Sequence, residues 1–127
     1  MADKTLRVLV VGLGNMGMSH ALAYTRIPDF EVVGVCERRI ASRELPEGLK
    51  GAKKFDNFEK ALAELKPDVV SINTLPDTHA QFAMKAMEAG AHVFVEKPLA
   101  DTAENAEKAV ATAQRTGKKL VVGYILR

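Results

Sequence analysis

Cysteine occurs once in the 127-residue chain, as Cys36. One thiol excludes an intrachain disulfide and any thiolate cluster able to hold a metal, and it fits a reducing compartment, so the cytoplasm is the expected location. Long hydrophobic runs are missing too. No apolar stretch approaches the roughly 20 residues that cross a bilayer, and the opening MADKTLRVLVVG is too briefly apolar, and too soon broken by glycine, for a signal peptide. A membrane partner is not expected. Nor is there an excess of one charge: 18 lysines and arginines against 16 acids leave a net +2. These charges are scattered and form no basic stripe to track a phosphate backbone, which argues against nucleic acid. His20, His79 and His92 have no metal-ligand spacing, so no metal is expected. The chain contains no internal repeat and no linker that would divide it.

What is present is a recurring alternation. Aliphatic runs occur at Leu6–Val11, Glu31–Cys36, Asp68–Asn73, His92–Glu96 and Lys119–Leu126, with a weaker candidate at Ala52–Phe55. They are continuous rather than alternating, the pattern of strands covered on both faces. Helix-like segments separate them. Asp56 or Asn57 can cap FEKALAELK, which Pro67 follows. THAQFAMKAMEAG ends at Gly90, and Asp101 and Glu104 have capping-box spacing before a segment that Gly117 stops. The stretch IASRELPEGLKG predicts one short helix and a loop. Strand alternating with helix implies right-handed crossovers and a parallel sheet with helices on both faces: a doubly wound α/β domain of the Rossmann type, spanning 1–127.

The run GLGNMG, Gly12 to Gly17, places G-x-G-x-x-G between the first strand and the first helix. Gly12 permits a tight turn, Gly14 lets a pyrophosphate approach the main chain, and Gly17 lets helix and strand pack closely. Asn15 and Met16 lie between them at the helix start, where free N–H groups and the positive dipole end favour an anion. Glu37 follows the second strand about 20 residues on, where an acid accepts hydrogen bonds from the adenosine ribose hydroxyls. Its charge would repel a 2′-phosphate and favours NAD, while Arg38 and Arg39 could pair with that phosphate and leave NADP open.

Two further segments follow later strands, on the ligand side of such a sheet: NTLPDTHAQ, Asn73 to Gln81, and VEKPLADTAENA, Val95 to Ala106. Asn73 and Thr74 could border the cofactor, with Leu75 and Pro76 as an apolar wall. Asp77 suits a turn or cap. His79 could cap backbone, contact cofactor or simply pack. Cys36 suits a small apolar filler.

A T-x-P-x-x-H turn paired with E-K-P-L-A, after G-x-G-x-x-G and before VVGYILR, resembles the N-terminal domain of the glucose-fructose oxidoreductase and inositol dehydrogenase family, also called Gfo/Idh/MocA. The resemblance covers nearly the whole chain. It implies NAD(P)-dependent oxidation of a sugar, polyol or related hydroxy compound, or reduction of the matching carbonyl. It also implies that Lys97 lies beside nicotinamide and substrate as the catalytic candidate, that Glu96 lies near the nicotinamide ribose, and that Pro98 shapes the turn. A lysine near a cationic ring, partly desolvated, has its ammonium form disfavoured and can donate to or orient an oxygen.

Members of that family continue for roughly another domain, which supplies most substrate contacts, whereas this sequence stops at Arg127. The expectation is a dinucleotide-binding domain cut from a longer oxidoreductase, with a naturally short protein as the alternative, binding cofactor with little turnover because the second wall is missing. Apolar Tyr124, Ile125 and Leu126 would then be exposed and could drive homo-oligomer formation. An NAD(H)-sensing regulatory module is the alternative the fold permits.

Overall fold

The computed structural model describes residues 5–37 and 44–123. Its strands are β1 (Leu6–Val11), β2 (Phe30–Cys36), β3 (Lys53–Phe55), β4 (Val69–Ile72), β5 (His92–Glu96) and β6 (Leu120–Gly123). Between them run helices α1 (Asn15–Thr25), α2 (Phe58–Leu65), α3 (Pro76–Glu88) and α4 (Ala103–Thr116), and a 3-10 turn at Glu47–Leu49. All strand pairs are parallel, in the order β3-β2-β1-β4-β5-β6. The chain therefore builds outward from β1 in one direction, returns, and builds outward from β4 in the other. Loops leaving β1 and β4 diverge at this reversal, and the crevice they leave is where such sheets bind ligands.

Alternation along each strand explains why the aliphatic runs are continuous. Val8, Val10 and Val35 face α1 and the 3-10 turn, packing with Leu13, Ala21, Leu45 and Leu49. Leu9, Val11, Val70, Ile72, Val93 and Val95 face the other way, onto Phe58, Ala61 and Leu62 of α2 and Ala83, Ala86 and Met87 of α3. Each fully buried Val or Leu contributes about 1.5–3 kcal/mol, so both faces must be apolar and both need helices.

Local signals set the element ends, with two corrections. Asn57 caps α2, its side chain accepting from the Lys60 amide, and Lys66 closes that helix in the left-handed region before Pro67. The expected Asp101 cap is replaced by Thr102, whose hydroxyl accepts from the Asn105 amide at 3.1 Å. Asp101 instead accepts from the Asn105 side chain, because one further residue of extended backbone precedes the helix. Helix α3 starts at Pro76, ahead of the expected Thr78, since proline at the first helical position costs no hydrogen bond. Strand β6 is described to Gly123, so Tyr124, Ile125 and Leu126, on which the self-association expectation rested, lie outside the described residues. Among those described, no helix is long and apolar enough to cross a membrane.

Candidate functional site

The glycine turn joins β1 to α1 at the crevice. Gly12 has φ +86° and donates its N–H to the Cys36 carbonyl at 2.8 Å. A Cβ on Gly12 would stand 2.6 Å from the Asn73 carbonyl oxygen, and one on Gly17 would stand 1.8 Å from the Gly12 oxygen. Both glycines are demanded by the protein's own packing. Gly14 is different. Its φ of −67° and ψ of −168° suit any residue, and an added Cβ would meet nothing within 4 Å. Nothing in the fold requires a bare α-carbon there.

The helix that begins at this exposed glycine has no side-chain cap and no acid in its first turn. Helices α2, α3 and α4 carry Glu59, Asp77 and Glu104 in theirs. The first hydrogen bond within α1 runs from the Met18 N–H to the Gly14 carbonyl at 2.8 Å, so the amides of Asn15, Met16 and Gly17 precede the intrahelical ladder. Donors at a positive dipole end, above a residue with open space in place of a side chain, form a cradle that fits a diphosphate.

Glu37 stands beside that cradle. Its N–H donates to the Phe55 carbonyl at 2.9 Å, continuing β2, and its Oε1 accepts from the Leu13 amide at 2.7 Å. The acid is thus held over the turn itself. Arg38 and Arg39 lie outside the described residues. Cys36, immediately before, is buried, and desolvation pushes its thiol up to about 11, with Asp56, Glu37 and Glu59 adding repulsion. It is the small apolar filler expected.

Across the crevice, β4 leads into Asn73 and Thr74. The Asn73 N–H donates to the Val11 carbonyl at 2.8 Å, and its side-chain amide donates towards Val11 and Ser71. Its Oδ1 is buried with no hydrogen-bond partner, the only such side-chain atom among the described residues. The Thr74 hydroxyl meets that of Thr78 at 2.6 Å. Leu75 is 71% exposed, so the apolar wall faces open space, and Pro76 sits at the first position of α3. His79, one turn into α3, is fully buried. Its ring spans two loops: Nδ1 is 2.7 Å from the Pro98 carbonyl and Nε2 is 2.8 Å from the Thr74 carbonyl. Packing and backbone capping, both weighed from the sequence, are what the histidine does here.

Lys97 follows β5, exposed, with its N–H donating to the Gly123 carbonyl at 3.0 Å; the Lys97–Pro98 peptide is cis. Glu96 points away from Lys97 into the α1 face, where its carboxylate pairs with Nε2 of buried His20. The His20 ring also lies 5.3 Å from that of Phe94. Sequence reasoning gave His20 no role. One signal was available: a histidine on the sheet-facing side of α1 needs a polar partner when buried.

The structure thus brings Gly12, Gly14, Gly17 and Glu37 to one lip of the crevice, and Thr74, Leu75, His79 and Lys97 to the other. Asn73 joins them through its contact with Gly12.

This arrangement has counterparts in known proteins. Residues 6–124 match the family described as oxidoreductase family, NAD-binding Rossmann fold (Gfo/Idh/MocA). The D-glucoside 3-dehydrogenase of Escherichia coli is 36% identical over 126 residues, covering 98% of this chain and 36% of that protein. An inositol 2-dehydrogenase of Salmonella paratyphi B is 33% identical over 128 residues, covering 97% and 38% respectively. The crystal structure of scyllo-inositol dehydrogenase from Lactobacillus casei with bound NAD(H) and scyllo-inositol superposes with a TM-score of 0.81 at 26% identity, covering 94% of this chain and 36% of that one. The chain spans little more than a third of the length of the relatives it matches. Glycine turn, strand order and family match agree: the chain belongs to the Gfo/Idh/MocA oxidoreductases and is their NAD-binding Rossmann domain.

Proposed function

We propose that this domain serves an NAD(H)-dependent dehydrogenase that moves hydride between the nicotinamide and a polyol, sugar or related hydroxy compound or its carbonyl. Gly14 carries the cofactor part of the reading. Its backbone tolerates any side chain and its surroundings would accept one, so the missing Cβ is explained by a ligand pressed against the main chain. The relatives that act on glucosides and inositols support the substrate class.

The bound dinucleotide supplies the hydride chemistry, and the chain's own groups hold it. Amides at the start of α1 receive the diphosphate. Glu37, anchored on Leu13, holds negative charge where a 2′-phosphate would have to come, which selects NAD over NADP. Lys97, at the end of β5, is the group we assign to the reacting oxygen, as proton donor or orienting cation. Cytoplasmic location belongs to the same reading, on the single buried thiol.

Calorimetric titration with NAD, NADH, NADP and NADPH tests this. NADH should bind more tightly than NADPH, and Glu37→Ala should weaken NADH far more than NADPH. Equal losses for the two would overturn the ribose assignment. Lys97→Ala should keep NADH affinity within about threefold, because its contribution is to the transition state. A loss comparable with that of Glu37→Ala would make Lys97 a binding residue instead.

A further inference from the structure

Of the buried groups that the proposed reaction leaves unused, His79 has the most specific surroundings. It is 1% exposed, and neither ring nitrogen faces a side chain. Each faces a main-chain carbonyl, one on each of the two loops that form the second lip of the crevice. The Thr74 carbonyl belongs to the loop after β4, and the Pro98 carbonyl to the loop after β5. These strands are neighbours, with Ile72 opposite Val95 at their ends, so the loops start side by side and then part. No hydrogen bond between the main chains of residues 73–75 and 97–99 closes the gap. The imidazole does.

Carbonyl oxygens only accept hydrogen bonds, so the protonated ring nitrogen donates to the carbonyl it faces, while the ring itself fills the space between the two loops. Lys97 is then gripped on both sides. Its N–H is held by Gly123 of β6, and the carbonyl of the next residue, Pro98, is held by His79. Thr74 is held in the same way, by its carbonyl to His79 and its hydroxyl to Thr78.

We propose that His79 is a positioning residue: a strap between the β4 and β5 loops that sets the location of Lys97 relative to Thr74, and so shapes the nicotinamide end of the site without touching the ligand. The inference rests on the dinucleotide reading above, and it separates the two ends of the ligand. The adenosine diphosphate end is held by the glycine turn and Glu37, which His79 does not contact. Loosening the strap should therefore harm only the nicotinamide end.

The test compares NADH with ADP-ribose, which fills the glycine turn and lacks the nicotinamide, on the native chain and on His79→Gln. Gln carries both of its N–H donors on a single nitrogen and cannot span the two carbonyls. ADP-ribose affinity should change less than twofold, NADH affinity should fall about tenfold, and the fluorescence enhancement of bound NADH should diminish. In protein with 13C-methylated lysines, the Lys97 resonance, assigned with Lys97→Arg, should shift. Equal changes for the two ligands, or none together with an unmoved Lys97 resonance, would overturn the strap. Failure of the native chain to bind either ligand would instead overturn the dinucleotide reading. Should His79→Gln not fold, nitrogen-15 NMR of the native imidazole decides. A slowly exchanging N–H proton on the His79 ring is expected, and a ring N–H that exchanges freely with solvent would refute the proposal.

Discussion

Helices α1 and α4 both begin at the carboxyl end of the sheet, one after β1 and the other after β5, yet their first turns carry opposite chemistry. Thr102 closes the start of α4 with its own hydroxyl, Glu104 lies in the first turn, and Asp101 braces Asn105 from outside. That end is complete within the protein. The start of α1 has no cap, no acid and, at Gly14, no side chain at all. Because a helix end normally gains about 1 kcal/mol from a cap and a few tenths more from an acid, leaving both out is a cost to folding. The difference teaches how to separate glycines the fold requires from one it does not: ask what an added methyl would strike.

The sharpest break of this comparison should come inside the glycine turn. Gly17→Ala forces a Cβ to 1.8 Å from a backbone oxygen, so we predict a loss of about 3 kcal/mol or more in urea unfolding. A stable Gly17→Ala protein would mean the helix can retreat from the strand. Next is Gly14→Ala. Unfolding free energy should stay level or rise by about 0.4–1 kcal/mol, since the backbone conformation suits alanine, while NADH affinity falls 10- to 100-fold, or about 1.4–2.8 kcal/mol. Unchanged NADH binding would remove the reason given for that glycine. At α4 the effect should invert: Thr102→Ala should cost about 1 kcal/mol of stability and leave NADH affinity alone. A drop in affinity there would show that the two helix starts are not independent.

The smallest expected effect concerns Cys36, whose carbonyl holds Gly12. With its thiol raised from 9.0 to about 11, the native state favours the protonated form. The stability this contributes is complete below pH 9.0 and is lost as pH rises through about 11, because the unfolded chain ionises first. Thiol-specific reagents should therefore label native protein slowly at pH 8, and bound NADH should slow labelling further. Rapid labelling of the native state would contradict the burial.

The glycine turn was legible in sequence because each glycine acts on its immediate neighbourhood, between an aliphatic run and a helix. Strand alternation was legible for the same reason, down to the short Lys53–Phe55 edge inside the weaker candidate. What escaped was chemistry whose partners have no letter. Backbone capping was one of three roles THAQ left open for His79, and nothing in the sequence chose among them, because the groups it faces are two carbonyls, which every residue possesses. His20 and Glu96 are 76 residues apart, and only the strand order brings α1 over β5. The cap of α4 moved from Asp101 to Thr102 because both residue types cap well and local backbone, not composition, chose between them.

Gly12 also rests against the Asn73 carbonyl so closely that a methyl group would not fit between them. The two halves of the sheet meet here main chain to main chain, with the Thr74 methyl close by. Any residue with a side chain at this waist would have to push β1 away from β4, so the width of the crevice there is set by backbone and not by rotamers.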